Sequence, residues 1–98
     1  MKLVFFVTKE KYGAAKNKVY TDDVVARQSI ILREASALGL SGDGYYLQID
    51  GSDAALKKAK EILSTDAKEL KGKEAENVKK AIDEQESNAA AGFGAIFG

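Results

Sequence analysis

The sequence predicts a small mixed α/β (α+β) domain, a two-layer βαβ-type unit with a few-stranded sheet under three to four helices. Three observations carry that expectation. An unbroken apolar run, Leu3 to Val7, opens the chain. A second segment, Tyr45 to Asp50, alternates apolar and polar residues. Apolar residues at helical spacing occupy much of the remainder. Ninety-eight residues is the length of one domain. An apolar share of 45% with 31% charged residues is a folding composition, not a disordered one.

The elements follow in order. Leu3-Val4-Phe5-Phe6-Val7 lacks alternation, as a strand covered on both faces does. Residues 8–20 are polar, basic and interrupted by Gly13, so they read as a long loop, with Lys18-Val19-Tyr20 as a short strand inside it. Thr21-Asp22-Asp23 reads as a helix start, because short acceptor side chains cap free N–H groups and acids suit the positive end of the helix dipole. Val24, Val25, Ile31, Leu32, Ala35 and Leu38 then share one helical stripe, and Gly39 ends it in a left-handed cap. Ser41-Gly42-Asp43-Gly44 is a turn. In the strand that follows, Tyr45, Leu47 and Ile49 face one way and Tyr46, Gln48 and Asp50 the other. Gly51-Ser52-Asp53 stops that strand and caps a helix burying Leu56, Ala59, Ile62 and Leu63.

Ser64-Thr65-Asp66 and Gly72 interrupt the helical pattern, which resumes from Lys73 to about Gln85 with Val78, Ala81, Ile82 and Gln85 on one side. That stripe is narrow, so a helix on the surface or against a partner is expected. Residues 89–98 contain only Ala, Gly, Phe and Ile. The organisation expected is a single domain, with a βαβα core at 1–64, added surface helices at 65–88 and an apolar tail at 89–98. Strand–helix–strand order is the mark of a βαβ unit with a right-handed crossover. Strand–helix–strand–helix order in about a hundred residues also resembles ferredoxin-like regulatory modules, at the level of fold and without site information. The second pair of strands of such a module is not evident here. Two strands alone make a marginal sheet, so the strand shortage implies that Lys18–Tyr20, the tail or a second copy supplies more.

Composition excludes much chemistry. The chain has no cysteine and no histidine. Disulfides, thiol nucleophiles and the usual zinc, haem and iron–sulfur ligands are therefore missing, as is the commonest general base. No catalytic residues and no cofactor are expected. The serines have no His partner, and the carboxylates mostly alternate with lysines as on solvated helices. Zero net charge argues against bulk nucleic-acid binding. The opening apolar run of five is too short for a signal peptide, and no run approaches the ~20 residues of a membrane span. A cytoplasmic protein with no membrane role is expected. Many Lys and Glu beside few Asn and Gln is a thermophile-type balance, which the absence of proline opposes.

Four places stand out. Lys9, Lys11, Lys16 and Lys18, in the basic segment after the first strand, form a candidate site for a phosphate, nucleotide or other small anion, although no phosphate-loop motif accompanies them. Asp50 and Asp53 offer hard oxygens for Ca²⁺ or Mg²⁺, but read better as strand-end and cap residues, and Asp43, at the far end of the same strand about 20 Å away by strand rise, cannot join them in one site. Tyr46 suits an interface. Phe93, Ile96 and Phe97 suit either a docking peptide or a cover for the chain's own sheet. The function expected is a non-enzymatic interaction module that self-associates, as a dimer, through a sheet edge or the Phe-containing tail. Anion binding at residues 9–18 and a weak Ca²⁺ or Mg²⁺ site are the alternatives.

Overall fold

The computed structural model describes the backbone of residues 1–97 and the side chains of residues 1–87. Its elements are β1 (Lys2–Thr8), α1 (Lys9–Thr21), β2 (Ser29–Glu34), β3 (Gly44–Asp50), α2 (Asp53–Ile62), β4 (Lys68–Leu70) and α3 (Gly72–Phe97). Short 3₁₀ turns at Val25–Arg27 and Ala35–Leu38 flank β2. The four strands form one antiparallel sheet in the order β2-β3-β1-β4. The mixed α/β class expected from sequence is the class observed. Both β1 and β2 run antiparallel to β3, so they run parallel to each other with β3 between them. Together with the element order, this is the split βαβ arrangement of ferredoxin-like domains, with α3 added after it.

Side-chain alternation explains the layers. Phe5 and Val7 of β1, with Leu3 beside them, pack with Leu47 and Ile49 of β3 against Ala15 and Val19 of α1 and Leu56 and Ala59 of α2. Val4 and Phe6 turn the other way, to Leu70 of β4 and to Ala75, Val78 and Ile82 of α3. The sheet is therefore covered on both faces, and the two-layer expectation gives way to three. The unbroken run at Leu3–Val7 had this reason: β1 is central, pairing with β3 over seven residues and with β4 over three.

Three segments differ from their sequence reading. Residues 9–21 are helix α1, not a loop. Lys, Glu and Ala favour helix, and Tyr12, Ala15 and Val19, three and four apart, supply a stripe just wide enough to dock. Residues 24–38 are not a helix. Asp22 does cap N–H groups, its Oδ1 accepting from Val24 and Val25 at 3.0 Å each, but it opens only a single 3₁₀ turn. Ile30-Ile31-Leu32 then forms β2, because branched residues suit a strand and β3 offers six residues to pair with. Residues 68–70 are strand β4, where a surface helix was expected. The strand shortage thus disappears within one chain, and with it that argument for sharing strands between copies.

The turn and cap readings stand. Gly39 is left-handed at φ 71°, Ser52 accepts from Ala55 N–H at 3.2 Å, and α2 buries Leu56 and Ala59. Gly44 pairs with Thr8 at the end of β1. A Cβ there would fall against the Val7 carbonyl oxygen and 2.8 Å from the Phe6 ring. Gly44→Ala is therefore expected to cost about 1–3 kcal/mol of stability through overpacking, measured by urea unfolding. An unchanged midpoint would show that the β1–β3 contact yields freely.

Candidate functional site

Helix α1 distributes its lysines among carboxylates. Lys9 Nζ lies 2.8 Å from Asp43 Oδ1, in the turn before β3. Hydrogen bonding to Asp43, then its charge, raises the Lys9 pKa above the ordinary lysine value. Lys18 pairs with Asp66, whose side chain is only 8% exposed, and Lys11 Nζ stands 3.9 Å from the other oxygen of that carboxylate. Seven residues separate Lys11 from Lys18, two turns of helix, so both point to the same side of α1. Asp66 sits in the turn between α2 and β4, its N–H bonded to Leu63 O at 3.1 Å. Lys16 lies 5.7 Å above the Tyr12 ring, which stacks on Tyr45 at 3.8 Å. The four candidate lysines thus share a helix but converge on no common point, and three of them face protein carboxylates.

The aspartates are likewise engaged. Asp50 Oδ1 accepts from the Met1 amino group at 3.3 Å, and Asp53 occupies the first turn of α2. Among the described residues, no group of three or more acids is placed to hold a metal ion. The surface depressions carry mixed charge. One of about 500 Å³ lies between the ends of α1 and α2, lined by Lys18, Asp22, Glu61 and neighbouring hydroxyls. Another, of about 410 Å³ beside α3, sets Lys2, Lys79 and Lys80 against Glu76, Asp83 and Glu84. Neither offers a uniform field for a charged ligand. No helix among the described residues is long and apolar enough to cross a membrane.

Tyr46 lies on the α3 side of β3, its ring 5.4 Å from Phe6 and its hydroxyl 3.4 Å from the Ser41 carbonyl. Phe93, Ile96 and Phe97 belong to the last turns of α3, and their side chains lie outside the described ones. The feature that sequence reasoning missed is the outer edge of β2. β2 ends the sheet and pairs only with β3. Ile30, Ile31, Leu32 and Arg33 are all half-buried. Arg33 turns back to α3: its Nε donates to Gln85 Oε1 at 2.8 Å and its Nη2 to Glu86 Oε1 at 3.1 Å. The opposite edge, β4, is only three residues long, begins with Lys68 and is followed by Lys71. Short length and lysines are among the devices that keep an edge from pairing; β2 has neither, and its charges, Arg33 and Glu34, stand together at one end of the strand. The signal was present as Ile30-Ile31-Leu32, a branched run hidden under a fortuitous helical spacing.

No protein-family model, no curated protein and no solved structure matches the chain.

The lysine pairs generate two expectations. Lys18→Met leaves a buried carboxylate with only the more distant Lys11, and should cost about 1–2 kcal/mol in urea unfolding. Lys11→Met, an exposed partner at longer range, should cost no more than about 0.5 kcal/mol. Equal effects would contradict the geometry. Because the folded Lys9 pKa is raised, its contribution to stability is complete below the unfolded lysine value, 10.5, and fades as pH climbs past the folded one. Asp43→Asn should bring Lys9 down towards the ordinary value in an NMR titration, whereas an unchanged titration would assign the shift elsewhere.

Proposed function

We propose that the chain is a non-enzymatic interaction module that self-associates, and that the outer edge of β2 is its binding surface. The observation that carries this reading is the contrast between the two sheet edges. An unguarded edge strand presents a row of backbone donors and acceptors to any incoming strand. Alternate residues of β2 turn their N–H and C=O groups away from β3, and Ile30, Ile31 and Leu32 supply partly exposed apolar area on both faces of that edge. Strand addition is a common mode of protein recognition that needs no catalytic group. The lack of His and Cys supports a binding role over a catalytic one.

The end of the chain is the second part of the proposal. α3 begins next to β4, packs Ala75 and Val78 against the sheet, and meets Arg33 of β2 at Gln85 and Glu86. Eleven residues separate Glu86 from the end of the helix at Phe97, about 16 Å of helix. Their sequence carries no charge, and helical spacing continues the stripe of Ala75, Val78 and Ile82 to Ala89, Phe93 and Ile96. That apolar run is the second segment proposed for the contact between copies.

Sedimentation velocity across concentration tests the reading. The full chain should associate at micromolar concentration, and Ile31→Lys should abolish association while keeping the unfolding transition cooperative. A monomer persisting to high micromolar concentration would overturn self-association.

A further inference from the structure

Resting on the edge reading above, we infer that the partner strand is β2 of a second copy, paired antiparallel about a two-fold axis centred on Ile31. The argument starts from symmetry. Two identical strands related by a two-fold form an isologous contact, in which each pairing occurs twice. Directly opposite residues on antiparallel strands share a face of the sheet, so the axis must pass through a residue and not between two. Three centres then need comparison: Ile30, Ile31 and Leu32.

Centring on Leu32 sets Ile31 against Arg33 and Ile30 against Glu34, which places charges on apolar side chains at the seam. Centring on Ile30 sets Ser29 against Ile31 and leaves Arg33 and Glu34 beyond the overlap. Centring on Ile31 sets that residue against itself and Ile30 against Leu32 of the other copy. Both Ile30 and Leu32 pack on the side of α1 and α2, so they extend one continuous apolar layer. On the α3 side, Ser29 falls opposite Arg33 of the other copy. Ser29 is exposed and small, and the arginine already has carboxylate, amide and backbone-carbonyl partners in its own chain, the last being Leu32 O at 3.1 Å. No like charges meet in this register.

The helix layers permit the same arrangement. An axis normal to the sheet keeps α1 and α2 of both copies on one side and both α3 helices on the other. The two four-stranded sheets become one of eight strands, each face still covered by its own helices. That number is within what open twisted sheets reach.

The test uses the absence of native cysteine. Ile31→Cys, Leu32→Cys and a control Ser64→Cys in the exposed turn after α2 are oxidised at low micromolar concentration. Residues opposite each other across an antiparallel pair stand about 4.5–5.5 Å apart at Cα, within disulfide range. Ile31→Cys should form a covalent dimer and the other two should not. Ser29→Glu, placed opposite Arg33, should tighten association, and Ser29→Lys should weaken it, each by roughly three- to tenfold. Ser29 is exposed, so these variants report even if a cysteine variant folds poorly. Cross-linking through Leu32→Cys alone would overturn the register but leave the edge reading standing. Association with cross-linking at neither β2 position, and indifference to the Ser29 changes, would overturn both.

Discussion

The structure depends on burying β1 on both faces. Leu3, Phe5 and Val7 point into the layer formed by α1 and α2, and Val4 and Phe6 into the layer formed by α3. Neither set can be satisfied by a single layer of helices. A sheet with two apolar faces needs cover twice, so a helix after β4 is required and not ornamental. β1 also holds the middle of the sheet, taking β3 along its whole length on one side and β4 on the other. Strands at both edges are then positioned by their distance from β1. β4 stops after three residues and turns into α3 at Gly72, whose φ of 61° is the left-handed conformation a glycine adopts at low cost.

Charge follows the same plan. Zero net charge hides a specific distribution, in which the basic α1 faces carboxylates carried by other elements: Asp43 before β3 and Asp66 before β4. These pairs tie the first helix to two turns distant in sequence. They also answer what the lysine-rich segment does within the fold. A helix whose apolar stripe is only Tyr12, Ala15 and Val19 has little packing to hold it, and in proteins tertiary packing supplies most helical stability. Ion pairs at its flanks and the Tyr12–Tyr45 stack add to a narrow contact.

The two edges of the sheet have opposite characters, and that asymmetry follows from the topology. β4 leads straight into a long helix, begins with Lys68 and is followed by Lys71. β2 lies between two 3₁₀ turns, pairs with six of the seven residues of β3, and has its one cation drawn inward by Gln85 and Glu86. Arg33 Nη1 also donates to the Leu32 carbonyl at 3.1 Å, so this side chain lies against the backbone of the edge strand itself.

Much of this was legible in the residues. The unbroken run at Leu3–Val7 meant a doubly covered strand wherever it stood. The alternation at Tyr45–Asp50, the cap at Ser52 and the left-handed Gly39 are local consequences of side-chain shape and backbone freedom, and they needed no partner to be recognised. The candidate lysines and aspartates were identifiable as charged groups, but their carboxylate and amine partners came from elsewhere in the chain. α1 was hidden because three docked residues barely make a stripe. β2 was hidden because Val24, Val25, Ile31, Leu32, Ala35 and Leu38 happen to fall at helical spacing, although the edge of β3 offers Ile30 to Leu32 a ladder that a lone helix cannot match. By itself the sequence determined class, turns and the need for cover on both sides of β1. Which segments became strands, which carboxylates met the lysines, and which edge was left open were decided only by tertiary pairing, because each depends on residues far apart in the chain arriving at one place.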